Sequence, residues 1–501
     1  MNEESSPADG VGDRVGAQFA DIEPGAMGSP LSSMIQREPV HCAPDTPVRQ
    51  AIETMHRLGV GALVVCEENF SPIGIFTVRD VLDRVTLPGI DLSLPISRVM
   101  SGNLKALSPG ASAYEAALLM AGQGIHHVAV VENGKLVGVV SERDLFMRPA
   151  GLVRRIGADL RRAEDVASLV RASGRVHELA TSLLRQELGA AQVTRLISTL
   201  NDVLTQQIIR LETRDADLGG LPWCFIEMGS AGRFEQTLST DQDNGIIFRQ
   251  GPESTADEVR ERLLPVAQRV NQALADCGIP LCRGGIMAGN PRCCLSTEEW
   301  QKRFADWIYQ GDPEAQLNAS IFFDFRAQYG ETSLATDLRR WLIRFAGGNR
   351  LFFAQMAQIA LNNQPPLGFI RDLVPTGGDE HPNSIDLKVN GITPFVDAAR
   401  ILGLAAEVPG TNTVERLRDA GRKLDFPAAE VAAWVEAFEF LQALRLKHQV
   451  ALKASGQGLH NFLPLDSLNE LERRILIESM RQASRLQSRL ARYVGLMEYG
   501  R

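Results

Sequence analysis

Apolar positions follow three regimes along the chain. Up to about residue 150, two amphipathic stretches, AIETMHRL and AYEAALLM, carry helical spacing, and each is followed by two strand-like apolar runs. The second run ends in GIFTVRD in one case and GVVSERD in the other. The stretches align residue by residue, Ala51 with Ala116, Met55 with Met120 and Gly59 with Gly124, and Thr77 and Asp80 answer to Ser141 and Asp144 once one residue is removed from the turn. This is an internal repeat of helix, strand, strand, helix. From about 151 to 217 the period is 3.6 without strand-like runs, through Val176, Leu179 and Leu183 and then Leu196, Leu200, Val203, Leu204, Ile208 and Leu211. Gly174 and Gly189 are the expected helix breaks, and the stripes are read as core-facing. Then WCFIEMGSAGRFEQTLSTDQDNGIIF predicts a strand, a Gly-Ser turn, a helix start and a second strand entered through Asp241 and Asp243. SIFFDFRAQYG predicts a further strand carrying Asp324, and from about Ser333 the pattern is helical, the last helix opening with Ser467 and Glu470 as a capping box.

Length and composition bound the function. At roughly 150 residues per domain, 501 residues suggest about three folded domains. A net charge of −9 argues against a broad footprint for nucleic acid or an anionic membrane, so neither is expected as a partner. Seven cysteines, an odd number with no C-x-x-C pair, suit a reducing, cytoplasmic compartment. The acidic, Gly/Pro/Ser-rich start reads as a disordered tail to about residue 30 rather than a signal peptide, and no apolar run of about 18 residues follows.

Two sets of residues carry chemistry. In the repeat, a hydroxyl at the strand end (Thr77, Ser141) can hold a phosphate against backbone N–H groups, and the Asp three residues on (Asp80, Asp144) can accept from ribose hydroxyls. The same residues also read as helix N-caps, and both readings stand on sequence alone. The repeat resembles a tandem pair of CBS domains, a Bateman module, which implies regulatory AMP, ADP or ATP and a homodimer formed through the pair.

The second set lies between the two later strands. On an extended strand Asp241 and Asp243 point to one face about 7 Å apart, a spacing suited to one or two hard divalent cations. Gly229 and Ser230 offer backbone N–H groups and a hydroxyl to a triphosphate, with Arg233 adding charge. Gly229, Ser230, Gly232, Arg233, Glu235, Thr240, Asp241 and Asp243 together resemble the nucleotidyltransferase signature, and more narrowly that of the PII uridylyltransferase and glutamine synthetase adenylyltransferase group. The resemblance implies that Asp324 is a third catalytic carboxylate and metal ligand, that Arg326 lies beside the phosphates, and that Gly284, Gly285 and Asn290 belong to an active-site loop. It further implies Mg²⁺ or Mn²⁺, an NTP substrate and pyrophosphate release.

The helical last third resembles the substrate-binding bundle of the CBS-linked nucleotidyltransferase family of DUF294 type, through IDLKVNGITPFVDAAR and LRLKHQ, where Lys388 and His448 are singled out. The expected architecture is thus a multidomain α/β chain: tail 1–30, CBS pair 31–150, helical connector 151–217, nucleotidyltransferase domain 218–332 and helical substrate-binding domain 333–498. No phosphohydrolase His-Asp motif or C-terminal amino-acid-sensing repeat accompanies these modules, so the acceptor, a protein or a small molecule, is unassigned. The expected function is metal-dependent nucleotidyl transfer tuned by adenine nucleotide at the CBS pair. The alternative is a non-catalytic nucleotide sensor that keeps the transferase fold as a scaffold.

Overall fold

Each half of the repeat folds into its own three-stranded sheet. In this computed structural model the described residues are 30–35, 38–141, 144, 150–185, 188–251, 253–310, 321–368 and 373–496; the expected tail lies outside them up to residue 29, as do 142–143. In the first half β1 (His41–Cys42) runs parallel to β2 (Ala62–Cys66), which pairs antiparallel with β3 (Pro72–Thr77). Helix α1 (Val48–Leu58) buries Val48, Ala51 and Met55 with Leu63, Val65 and Phe76 of that sheet. The second half repeats this with β4 (Ala106–Leu107), α2 (Ala113–Gln123), β5 (His127–Glu132) and β6 (Lys135–Ser141). The glycine shared by the two halves ends each helix in the left-handed region, Gly59 at φ 61° and Gly124 at φ 66°, which explains why that position recurs.

Next come α3 (Ala150–Arg162), α4 (Val166–Arg185) and α5 (Ala190–Glu212). Gly174 does not break α4 as expected. Open space surrounds it, and the fully buried Leu169, Leu179 and Leu183 hold the helix through a glycine penalty of about 1 kcal/mol. Gly189 does sit at the N-cap of α5. The chain divides into two compact units, one of residues up to Asp159 with 185–188 and one of Leu160–Leu184 with Gly189 onward.

The second unit has a four-stranded sheet of β7 (Trp223–Glu227), β8 (Asn244–Phe248), β9 (Cys294–Ser296) and β10 (Arg326–Gly330) in the order β10-β7-β8-β9. β8 and β9 run parallel, joined through α6 (Ala256–Asp276), and the other pairings are antiparallel. After α7 (Thr297–Gln310) and β10 come α8 (Thr332–Ala346), α9 (Arg350–Ala360), α10 (Thr393–Ala405), α11 (Thr413–Lys423), α12 (Ala428–Ala454) and α13 (Glu470–Tyr493). A small ribbon of β11 (Ser384–Asp386) and β12 (Phe462–Pro464) lies among these helices. One apolar core runs from Ile226 of the sheet through Phe323 and Phe352 to Trp434 and Leu486 of the bundle. The cap of α13 is Asn469 with Glu472, two residues beyond the expected Ser467, whose hydroxyl instead donates to Pro464 O. Among the described residues no helix is long and apolar enough to cross a membrane.

Asp324 precedes β10, on a turn rather than on the expected strand, and is fully buried. Its Oδ1 accepts from Arg416 Nη1 at 2.6 Å, and its Oδ2 from Arg233 Nη1 at 2.8 Å and Arg400 Nη2 at 2.7 Å. Burial alone would raise this carboxyl's pKa, but the three guanidiniums hold it well below the usual carboxylate range. Arg233 comes from the loop after β7, Arg400 from α10 and Arg416 from α11, so one carboxylate ties the sheet to the bundle. Around it Glu235 accepts from Thr413 N, and Thr411 donates to Gly232 O at 2.7 Å. Removing one partner of a buried ion cluster strands the others, so Asp324→Asn should destabilise the second unit by about 3–5 kcal/mol. Urea unfolding checks this, and a loss below 1 kcal/mol would contradict the clamp.

Candidate active site

The DQDN segment alternates. Gln242 and Asn244 are buried, at 2% and 1% exposure, whereas Asp241 and Asp243 are half-exposed. The inward pair is fixed by amides: Gln242 Nε2 donates to Asn271 O and Ile279 O, and Asn244 Oδ1 accepts from Asn271 Nδ2 and Ala288 N. Extended backbone then turns Asp241 and Asp243 to the other face together. The segment 241–243 continues the ladder just ahead of β8, with Met228 N donating to Asp243 O at 2.8 Å.

Gly229 opens a one-turn helix, Gly229–Gly232, against this face. Its φ is +55°, and a Cβ there would lie 2.5 Å from Asp243 Oδ2, so both backbone conformation and space require glycine. Ser230 is half-buried, and its hydroxyl makes no hydrogen bond among the described residues. The expected loop is adjacent: Gly285 turns at φ +68°, Asn290 Nδ2 donates to Gly285 O at 2.7 Å, and the Cys282 thiol shares a hydrogen bond with Asp243. Burial and the neighbouring Asp241 push Asp243 up to about 6, a carboxylate pair in need of positive charge.

The structure thus brings Gly229, Ser230, Asp241 and Asp243 together, with Gly232 in the same turn, and engages Arg233, Asp324 and Arg326 in ion pairs. Asp324 has both oxygens taken by guanidiniums and no exposure, so it offers a metal no position. Arg233 is spent on Asp324 and Glu235 rather than on phosphates, and Gly232 is needed because a Cβ would meet Asp324 O at 1.8 Å. Arg326 pairs with Asp202 of α5 at 2.5 Å and lies over the Phe234 ring, while its Nε donates to Ala231 O at 3.0 Å, so it touches the Gly229–Gly232 turn with its charge already paired. Two carboxylates escaped the sequence reading, Asp202 on the polar edge of an apolar helix stripe and Glu227 at the end of an apolar strand. Glu227 lies abreast of Asn244 and Arg326 in the sheet, at 7% exposure. Burial pushes it up to about 8 against the pull of Arg326, with Asp202 and Asp243 adding to the rise.

In the first unit, a cavity of about 510 Å³ is lined from both halves of the repeat, by Thr77, Asp80, Ser101 and Lys105 and by His126 and His127. Thr77 and Asp80 form a capping box: Asp80 Oδ2 accepts from Thr77 N at 2.8 Å and Thr77 Oγ1 at 2.7 Å. Its Oδ1 takes Ser101 Oγ and Arg84 Nε, both at 3.2 Å. The cap reading is therefore realised, and the same residues also line a cavity. Ser141 and Asp144 repeat the contact, Oγ to Oδ2 at 2.6 Å, but are not among the residues lining this cavity.

Comparison with known proteins agrees with these modules. Residues 31–86 and 96–151 match the CBS domain, 174–314 match "Putative nucleotidyltransferase DUF294", and 350–494 match "Putative nucleotidyltransferase substrate binding domain". The chain belongs to the CBS-linked DUF294 nucleotidyltransferase family. It is 35% identical over 103 residues to the CBS domain-containing protein YhcV of Bacillus subtilis, covering 21% of this chain and 73% of that one. It is 30% identical over 125 residues to the uncharacterized protein MK0525 of Methanopyrus kandleri, covering 24% of this chain and 64% of the relative's length. Among solved structures, the CBS domain protein PAE2072 from Pyrobaculum aerophilum complexed with AMP is 28% identical, covers 25% of this chain and 98% of that one, and has a TM-score of 0.24.

The buried Glu227 gives a signed pH prediction. Between its unfolded value of 4.5 and about 8 the unfolded chain releases a proton that the folded chain keeps, so this group lowers stability as pH rises through that window. Glu227→Gln removes the effect, and the melting temperature of the variant relative to wild type should climb from pH 5 to pH 8. A difference independent of pH would contradict the assignment.

Proposed function

We propose that this chain is a divalent-metal-dependent nucleotidyltransferase whose reactive centre is the Asp241–Asp243 face beside the Gly229–Ser230 turn. The observation that carries the reading is Asp243 held against Gly229, a packing that puts a carboxylate pair next to backbone N–H groups and an unengaged hydroxyl. The donor set suits a hard cation: two carboxylates, with the rest of the shell left to phosphate oxygens and water. Asp241 and Asp243 would hold Mg²⁺ or Mn²⁺, which supplies charge neutralisation at the α-phosphate and lowers the pKa of an acceptor hydroxyl. The Ser230 hydroxyl and the N–H groups of Gly229, Ser230 and Ala231 bind phosphate oxygens, Gly232 N donating instead to Met228 O, and the Gln242–Asn244–Asn271 network keeps the carboxylates aligned. The acceptor oxygen bonds to the α-phosphorus as the bond to the pyrophosphate oxygen breaks, releasing pyrophosphate. The acceptor is a hydroxyl of a protein or small molecule.

The 510 Å³ cavity of the CBS pair is the proposed regulatory site, with AMP, ADP or ATP set against Thr77 and Asp80, Ser141 and Asp144 as its counterpart, and the pair joining two copies of the chain. One observation favours the alternative of a non-catalytic sensor. Among the described residues no group of three His, Cys, Asp or Glu side chains is arranged to hold a metal, and Asp324 is withdrawn into the clamp.

Incubating the purified chain with α-³²P-labelled NTPs, Mg²⁺ and lysate of its own cells tests the choice. Label transfer with pyrophosphate release is expected, falling at least about 100-fold in Asp241→Asn/Asp243→Asn. Equal labelling by wild type and variant would overturn the site. No labelling, together with a partner whose affinity follows AMP or ATP and ignores Asp243→Asn, would establish the sensor.

A further inference from the structure

The buried arginines of the second unit divide by what their terminal nitrogens hold. Those of Arg233, Arg400 and Arg416 reach Asp324. Arg445, on α12 and only 6% exposed, is held differently. Its Nε donates to Asn461 Oδ1 at 2.7 Å, and Gln449 Nε2 donates to the same oxygen at 3.1 Å, which fixes the near edge of the guanidinium. Among the described residues its two terminal nitrogens make no hydrogen bond and no carboxylate reaches ion-pair distance. The charges that act on it are Asp386 first and then Arg233, Asp241 and Glu235, so the corner it occupies is within electrostatic reach of the Asp241–Asp243 segment. A fork pinned at one edge, with its terminal nitrogens open to solvent and no carboxylate at ion-pair distance, is an arrangement that a ligand completes.

A second cation is built into the same corner. Leu387 N donates to Asn461 O at 3.0 Å, and the next residue, Lys388, is exposed, engages no ion pair among the described residues and acts electrostatically on Asp243. Its backbone is held: Lys388 N donates to Asp386 Oδ1 at 2.9 Å, and Lys388 O accepts from Thr393 Oγ1 at 2.8 Å. Asn461 thus organises both cations, one by its side chain and one by its backbone. Two cations anchored separately, one through a side chain and one through the backbone, suit an anion made of several linked charged groups.

We propose that Arg445 and Lys388, presented by the helical bundle and organised by Asn461, form a polyphosphate-binding arm of the Asp241–Asp243 site. This rests on the nucleotidyltransferase reading of Asp241 and Asp243 and adds to it the part of the substrate that the bundle recognises. Neither residue forms or breaks a bond; both bind.

Calorimetric titration of the full chain with Mg²⁺ and inorganic tripolyphosphate, pyrophosphate or orthophosphate tests it without any choice of base. Wild type should bind tripolyphosphate at least about tenfold more tightly than orthophosphate. Lys388→Ala should weaken tripolyphosphate about tenfold and Arg445→Gln more, with orthophosphate unchanged. Lys388 is exposed, so its variant remains informative if Arg445→Gln fails to fold. Tripolyphosphate bound equally by wild type and Lys388→Ala, or wild type indifferent to chain length, overturns the arm. Overturning with label transfer intact removes the arm alone; chain-length discrimination with no label transfer keeps the arm and removes the transferase reading.

Discussion

A single carboxylate, Asp324, fixes the second unit. It joins guanidiniums from the loop after β7, from α10 and from α11, with no exposure to solvent. The attraction is large because water is absent, and so is the cost of leaving any member unpaired. Sheet and bundle are therefore bound to one relative placement. That placement brings the bundle residues Lys388 and Arg445 within electrostatic reach of Asp243 and Asp241, which lie just ahead of β8. Arg233 and Glu235 follow the same logic. They sit in the middle of a nucleotide-binding signature, yet their contacts are Asp324 and the first turn of α11.

The proposed reactive face is held by neutral polar groups. The amides of Gln242, Asn244 and Asn271 satisfy one another and nearby backbone at almost no exposure, so the backbone between the two aspartates cannot rotate without breaking several buried hydrogen bonds. The aspartates are left close, partly desolvated and mutually repulsive. Such a pair is costly alone, and either a proton or the cation of the proposed mechanism would relieve it.

What the sequence revealed and what it hid divide along the range of the interactions. The repeat was legible because its periodicity, its C-cap glycines Gly59 and Gly124 and its Thr77–Asp80 and Ser141–Asp144 pairs are local. Gly229 and the alternation of Asp241 and Asp243 were legible for the same reason. The role of Asp324 was not, since three arginines up to 92 positions away decide it. Nothing local marked Glu227 or Asp202 either, for their environments are made by strand pairing and by α5 docking against β10. Gly174 misled because tertiary burial of α4 outweighs one residue's propensity.

The most direct test of the account is to locate bound manganese. Crystals of the full chain grown with Mn²⁺ and a non-hydrolysable NTP analogue should show anomalous density between Asp241 and Asp243, with none at Asp324 and the triphosphate leading toward Lys388 and Arg445. Manganese at Asp324, or the analogue found only in the CBS cavity with the aspartate pair metal-free, would contradict it.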